Sequence, residues 1–452
     1  MNRTPLLSLT LTALAISGCV STEDWQEKET LATPEQFTKA SVPQLEIKDS
    51  LMELFDHQGL NSLVESALEN NPELQRSRAR LDEVAYSVTR AKSSQLPQLN
   101  ANAAARRNDP VGGSPDNTYS IGLDASWEVD IWGKIRSDVR ASKADLAAAE
   151  ADYLNAEQSL VGQTMQAWFS LVSAEKILDL DARRVESFQS TENLVSRRFE
   201  LGEATSTALN LAKTDLENAK ADLQASLNNR DQAARTLNQI LGSYPDAEYN
   251  HETQWPSLDT TVSAGLPSDL LTARPDVVAA YERLIAADER IKVSQSELFP
   301  SFRLTADGGR ASSVLDDLSS SAFNSWSALA ALSVNIFDAG ARRSNIGAAN
   351  SRAEQAYFNY QSVVLNALKE VENALGSEYY LASEETARVS ALEAARRSME
   401  RAQRDYETGL VTILSLLESQ RRVFNTERRV INLKASRLNN RVRLALSVGK
   451  GV

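Results

Sequence analysis

The sequence predicts a mainly helical protein with a membrane β-barrel portion, built as a tandem duplication. Three observations carry this reading. One stretch alternates strictly: Tyr119, Ile121, Leu123, Ala125, Trp127, Val129 and Ile131 share one parity, and Ser120, Gly122, Asp124, Ser126, Glu128 and Asp130 the other. A period of two over this length describes a strand with one apolar and one polar face. It exceeds the about 5–6 residues usual for soluble strands and suits the roughly 9–11 needed to cross a bilayer at a tilt. Immediately after Gly133 the period changes. No proline occurs from Asp116 to Tyr244, and Val139, Leu146, Tyr153 and Leu160 are spaced by sevens, as are Leu171, Leu178 and Val185. A helix from Lys134 to Leu201 would be about 100 Å long at 1.5 Å per residue, and it needs partner helices along its seam.

The third observation is that the plan repeats. Arg274-Pro275-Asp276-Val277 lies 203 residues after Asn71-Pro72-Glu73-Leu74, and Leu298-Phe299-Pro300 lies 203 after Gln95-Leu96-Pro97. Gly340 and Gly409 come 207 after Gly133 and Gly202, and Leu416, Val423, Val430 and Leu444 come 207 after Leu209, Leu216, Leu223 and Leu237. Two fixed offsets on either side of the second strand pair mean that only strands or loop changed length, which is a tandem duplication.

In chain order, Met1-Asn2-Arg3 is basic and Leu6 to Ile16 is largely apolar, so residues 1–18 read as an export signal. Ile16-Ser17-Gly18-Cys19 comes next, and Cys19 is the only cysteine. Residues 19–58 are expected to be extended along the surface of the rest. The first repeat is predicted at 59–242. It holds short helices that end before Pro97, strands at about 98–107 and 118–132, a long helix at 134–201 and a return helix at 204–241. Pro72 opens its helix because proline is favoured in the first helical turn. Residues 243–267, with Pro245, Pro256 and Pro267, read as an irregular linker. The second repeat, 268–452, carries strands at about 301–308 and 323–337, a long helix at 341–408 and a return helix at 411–448.

The 452 residues carry a net charge of −13, which argues against a nucleic-acid partner. No run of 18 or more apolar residues occurs in the body, so no membrane-spanning helix is expected. Four strands per chain leave two open edges, and unpaired edges are costly in lipid. A closed barrel needs about 8 strands or more. Two chains would give 8 strands and three would give 12. A wall of 12 helices encloses a lumen more readily than one of 8, so the expectation is a homotrimer with a 12-stranded barrel continued by an α-helical barrel. Trp127, Trp132, Trp326, Phe302 and Phe337, at or near strand ends, suit interfacial aromatics.

Leu266-Pro267-Ser268-Asp269-Leu270-Leu271, Arg274-Pro275-Asp276-Val277 and Leu298-Phe299-Pro300-Ser301 resemble the signature of the TolC-like outer membrane efflux protein family. Ile-Ser-Gly-Cys resembles a bacterial lipobox, followed by Val20 and not Asp, which in that pattern favours the outer membrane. Together they are similar to the lipoprotein branch serving resistance–nodulation–division (RND) pumps. The resemblance implies lipidation at Cys19 and insertion in the outer-membrane lipid. It also implies a periplasmic tunnel, a periplasmic adaptor and an inner-membrane RND-type transporter as partners. It places an iris-like gate in the last helix pair. Of the acids that often ring that gate, the matching positions are Ser415 and Glu418, so one acid is missing, and a ring of Glu418 carboxylates would weigh against anions. Gly202, Glu203, Ala204 and Thr205, with Gly409, Leu410, Val411 and Thr412, match the adaptor-docking tips.

The implied function is a passive exit duct for small molecules such as drugs, with type I protein secretion and a pore-free coiled-coil scaffold as alternatives. An enzyme is disfavoured. Only His57 and His251 are present, and no nucleophile-elbow, zinc-helix or phosphate-loop pattern occurs. No cofactor or metal is expected. The four methionines, Met1, Met52, Met165 and Met399, are not clustered.

Overall fold

The computed structural model describes Trp25 and residues 34–38, 46–48, 50–55, 57–249, 254–319 and 324–450. Cys19 and His251 lie outside the described residues. β1 (Glu46–Lys48), α1 (Gln58–Asn70) and α2 (Pro72–Ser93) precede β2 (Gln98–Asn108) and β3 (Asp116–Val129). Then come α3 (Lys134–Glu200), α4 (Ser206–Ile240), β4 (Thr260–Val262), α5 (Leu270–Ala273) and α6 (Pro275–Ser296). β5 (Ser301–Ser312), β6 (Asn324–Ser333), α7 (Ala341–Glu407) and α8 (Ile413–Ser447) complete the chain.

The duplicated helices are equal in length. α2 and α6 each have 22 residues, α3 and α7 each have 67, and α4 and α8 each have 35. Their starts are cut differently. Asn71 Oδ1 accepts from the N–H groups of Glu73 and Leu74 at 2.9 and 3.1 Å, an N-cap completed by Pro72. At the matching start of α6, Arg274 makes no such cap. Its guanidinium reaches Asp276, Glu370 of α7 at 2.8 Å and the Ser447 carbonyl at 3.0 Å, so it ties the start of α6 to the middle of α7 and the end of α8.

β2, β3, β5 and β6 form one antiparallel sheet in that order. β2 and β6 are its edges. The strands run 11, 14, 12 and 10 residues, long enough for a tilted bilayer crossing. β3 stops at Val129, short of the predicted 132. The Asp130 carboxylate instead accepts from the Ile135 and Arg136 N–H groups at 3.1 and 2.9 Å and caps α3 across Gly133. β5 runs on to Ser312, pairing residue by residue with β3 as far as Tyr119. β6 stops at Ser333, before Val334 and Ile336. Asp338 turns the chain into α7, accepting from Gly340 N at 3.0 Å and Arg342 Nε at 2.6 Å. These donors, Arg342 first, hold its carboxyl below the usual carboxylate range.

α3 packs against α2 and α4 on one side and against α6 and α8 of the other repeat on the other; α7 packs against α6 and α8. The halves therefore interlock instead of lying side by side. α2 and α4 form one flank of the helical wall and α7 the other. On these flanks Tyr86, Phe358, Leu365, Tyr379 and Tyr380 are exposed. Near the sheet the seam is made of alanine. Ala141, Ala144, Ala148 and Ala151 of α3 are buried with Ala279, Ala280 and Ala286 of α6 and Ala349 and Ala353 of α7. Leu146 and Tyr153 of the leucine series are only half-buried. Small residues let axes approach toward the short end of the 8–10 Å range.

The largest core lies at mid-height, where α1 and the chain around β1 and β4 cover one face of α3, α7 and α8. Leu60, Leu63 and Val64 pack there with Met165, Trp168, Phe169, Val371, Leu438 and Val442. His57 caps α1, its Nδ1 accepting from Leu60 N at 3.1 Å, and lies against Trp168. The leading segment is more than a surface strip. Trp25 is buried against Leu284, Ile291, Ala349 and Ala353, Phe37 enters the main core, and β1 pairs in parallel with β4.

At Gly162 on α3, an added Cβ would stand 2.5 Å from Leu446 Cδ1 and 3.4 Å from Val442 Cγ1 of α8. Helix propensity favours Ala over Gly by about 1 kcal/mol, while overpacking costs about 1–3 kcal/mol. Gly162→Ala is therefore expected to be near neutral and Gly162→Leu clearly destabilising, read as thermal loss of helical circular dichroism in detergent.

Candidate functional site: the hairpin tips and the open sheet

The α3–α4 and α7–α8 hairpins end at matching turns. At the first, Gly202 N–H donates to the Phe199 carbonyl and Glu203 N–H to that of Arg198, at 3.0 and 2.8 Å. At the second, Gly409 N–H donates to Tyr406 and Leu410 N–H to Asp405, at 3.1 and 2.7 Å. Both are Schellman closures, which place the residue after the C-cap in the left-handed region. Gly202 has φ 76° and Gly409 φ 74°, and an added Cβ at either would meet nothing. Backbone conformation, not space, requires glycine at both. Beyond the turns the tips diverge. Thr205 Oγ1 accepts from Ala208 N at 3.1 Å and caps α4, whereas Thr412 makes no cap bond and lies 3.4 Å from Ser415 Oγ. Ala204 and Val411 are half-buried, against the Leu216 and Leu417 cluster, while Glu203 and Leu410 are exposed.

The structure joins the two tips through a residue that none of the motifs above includes. The Arg198 guanidinium donates to the carbonyls of Tyr406 and Glu407 at 2.9 and 2.6 Å and sits 4.9 Å from the Tyr406 ring centre. A cation thus closes the carbonyl end of α7 from the neighbouring hairpin. The position 207 residues on is Asp405, which pairs with Arg401 of its own helix at 3.0 Å. That break in the repeat was the available signal.

Above the tips, polar ties line the α3–α8 seam. Gln420 Nε2 donates to Thr191 and Ser187 hydroxyls at 2.9 and 3.1 Å. Glu427 accepts from Arg183 of α3 at 2.8 Å and Arg396 of α7 at 2.9 Å. Asp181, buried in α3, holds Arg428 of α8 and Ser226 of α4. Higher still, Glu378 of α7 receives Arg437 and the buried Arg441 of α8, both at 2.9 Å. Burial pushes the Glu427 carboxyl up, but Arg183 and Arg396 outweigh it and hold it below its ordinary range. Burial raises Asp215 of α4 against the pull of Arg421 and Arg184. Glu418 is exposed on α8, with Arg422 Nη2 at 3.4 Å and Arg421 Nη2 at 3.6 Å; Ser415 is exposed one turn nearer the tip.

The sheet presents two chemically distinct faces. One carries Leu99, Ile121, Leu123, Trp326 and Leu332, all exposed. The other pairs polar groups across strands: Asn100 with Asp124 at 3.0 Å, Ser327 with Asp307 at 2.5 Å, and Arg303 beside Glu128 at 3.8 Å. At the helix end of the sheet, Trp127 Nε1 donates to the Gln95 carbonyl and Trp132 Nε1 to that of Pro300, at 3.1 and 2.7 Å. Trp132 stacks on Phe299 at 4.8 Å, and Phe337 is exposed four residues after the end of β6; Trp326, opposite Gly308, stands toward the other end. Among the described residues, no helix is long and apolar enough to cross a membrane.

The model of the family described as outer membrane efflux protein matches the chain twice, over residues 63–243 and 266–450. The chain belongs to this family. It is 27% identical over 447 residues to the cation efflux system protein CusC of Escherichia coli O157:H7, covering 97% of each chain. It is 28% identical over 410 residues to the solvent efflux pump outer membrane protein SrpC of Pseudomonas putida, covering 88% of this chain and 87% of that one. A crystal structure of CusC superposes with a TM-score of 0.85 at 25% identity, over 94% of this chain and 98% of that one. The fold of these outer membrane efflux proteins, a β-barrel continued by a helical tunnel, accounts for both the amphipathic sheet and the helical wall.

Two outcomes are expected at the tips. Gly409→Ala should cost about 1–2 kcal/mol of local stability. Thr205→Ala should cost about 1 kcal/mol, while Thr412→Ala changes little; hydrogen exchange of the tip peptides reads all three. Because the Glu427 pKa is depressed on folding, its contribution is full above its ordinary value near 4.5 and fades as pH falls through the lowered value. Exchange protection along the α3–α8 seam should accordingly hold down to about pH 4.5 and decline below it, and Glu427→Gln should flatten that decline.

Proposed function

We propose that three copies of this chain form the outer-membrane exit duct of a tripartite efflux system, carrying small molecules passively across the periplasm and outer membrane. The observation that carries the reading is the amphipathic four-stranded sheet. Its apolar face is exposed, and its edge strands β2 and β6 have no partner among the described residues. In lipid such edges must be paired, and three copies close a ring of 12 strands. The aromatic flanks on α2 and α7 supply matching surfaces for neighbouring copies. The duct itself does no chemistry; an RND-type transporter in the inner membrane supplies the energy. Cys19 carries the lipid anchor. A periplasmic adaptor docks at Gly202, Glu203, Ala204 and Thr205 and at Gly409, Leu410, Val411 and Thr412.

The gate lies in the α7–α8 pair, with Ser415 and Glu418 facing the constriction. Opening swings that pair away from α3 and α4, which breaks the Arg198, Gln420 and Glu427 ties. These are hydrogen bonds to charged or polar groups, each worth about 0.5–3 kcal/mol net, so several together hold a closed state that a docking partner can still release. CusC is named for cations and SrpC for solvents, so membership alone does not choose the cargo.

Purified protein in planar bilayers tests the reading. The double variant Arg198→Ala and Glu427→Ala should conduct several-fold more than wild type, and cross-linking should trap trimers. Monomers that conduct nothing in either form would refute the duct.

A further inference from the structure

From the exposed face of α8 we infer that the periplasmic half of the duct is lined by guanidinium rings and selects for anionic cargo. The inference rests on the proposed duct. Glu418, Arg422, Asn425, Arg429, Ser436 and Arg443 are all exposed and recur at intervals of 3, 4 or 7 residues, so they share one face of the helix.

Two observations place that face on the bore. Arg441, about half a turn from Arg443, is buried and donates to the Thr260 carbonyl of β4 at 2.9 Å. The side of α8 toward β4 is thus the side covered by α1, β1 and the linker between repeats. Such connecting chain lies outside a closed helical wall, because inside it would plug the passage. Arg443 points the other way, into a recess of about 450 Å³ that it shares with Asn155 and Gln158 of α3, Asn373 and Ser377 of α7, and the Arg274–Glu370 ion pair. That lining contains no residue of α1 or of the linker.

The pairing of charges gives the sign. The carboxylates on α8, and those that its arginines reach, are already matched. Glu418 has Arg421 and Arg422, Glu427 has Arg183 and Arg396, Glu378 has Arg437 and Arg441, and Glu385 has Arg437. Arg429 and Arg443 have no acidic partner among the described residues. The protein as a whole is strongly acidic, at −13, yet this stripe carries three arginines against one glutamate. The Glu418 ring therefore does not set the sign of this face of α8. In three copies, the stripe becomes stacked rings of fixed positive charge, the arrangement found in anion-conducting pores. Arginine keeps its charge at any physiological pH, so the preference is not pH-switched. Its reach is the Debye length, about 10 Å at 0.1 M salt. The cargo class it fits is small organic anions and zwitterions presenting carboxylate, sulfonate or phosphate, for which guanidinium offers paired donors.

The test is the reversal potential of the full-length trimer in a planar bilayer under a KCl gradient at low ionic strength, in an Arg198→Ala, Gln420→Ala background that loosens the tips and leaves the Glu427 pairs intact. Chloride should permeate better than potassium, with the preference fading as salt rises. Adding Arg429→Glu and Arg443→Glu should carry the permeability ratio through unity to cation preference, while Arg429→Lys with Arg443→Lys should retain anion preference. A conducting trimer that prefers potassium, or whose ratio ignores the glutamate pair while the lysine pair behaves as its parent, overturns the inference and leaves the duct intact. A protein that never conducts overturns the duct itself.

Discussion

The structure depends on one constraint: the sheet β2–β3–β5–β6 ends in two strands whose outward N–H and C=O groups have no strand partner among the described residues. In water such edges are tolerable. In hydrocarbon each unsatisfied group costs several kcal/mol. The four strands of this sheet do not pair their own edges, and in the proposed duct other copies close them. That requirement shapes the other elements of the chain. The strands must be long enough to span and apolar on one face. In the proposed trimer, the helices that leave them surround a common axis, with both flanks of each chain's wall available to neighbours.

Along the helices the means of cohesion changes with distance from the sheet. Near the sheet, buried alanines on α3, α6 and α7 bring the backbones close. At mid-height a large apolar cluster fixes α1, α3, α7 and α8 together. Toward the tips, polar side chains increasingly bridge the helices: Glu427 with Arg183 and Arg396, Gln420 with Thr191, Arg198 with the end of α7. The difference has consequences for motion. Separating an apolar seam exposes surface at about 25 cal/mol per Å², whereas a polar tie can exchange its partner for water. The end of the molecule proposed to open combines these exchangeable bonds with an apolar cluster, around Leu216 and Leu417, that is smaller than the one at mid-height.

The two repeats keep equal helix lengths and equal turns, yet they have diverged wherever the chain must contact itself asymmetrically. Asn71 caps α2, while Arg274 at the matching place braces α7 and α8. Arg198 reaches across to the other hairpin, while Asp405 stays on its own helix. Thr205 caps α4 and Thr412 leaves α8 uncapped. Length and turn chemistry preserve the barrel, and these substitutions distinguish the α3–α4 hairpin from the α7–α8 hairpin within it.

Much of this was legible in the residues themselves. Alternation from Tyr119 to Val129, the sevens after Lys134 and the recurring Gly-Pro punctuation are local signals of period and turn type, and these fix strands, helices and duplication without reference to neighbours. The ends of the elements were less legible. β3 stops at Val129 because Asp130 caps a helix that begins four residues later, a competition that hydrophobic parity does not register. Least legible were the partners. The alanine seam carries little hydrophobic signal, so the leucine series stood out in its place. That α3 packs on α6 and α8, that Arg198 ends up on α7, and that Arg441 is buried while Arg443 lies open were decided by which helix faces came together. Those are relations among residues up to hundreds of positions apart, and only tertiary packing, by burying one face and leaving its opposite open, gives them their meaning.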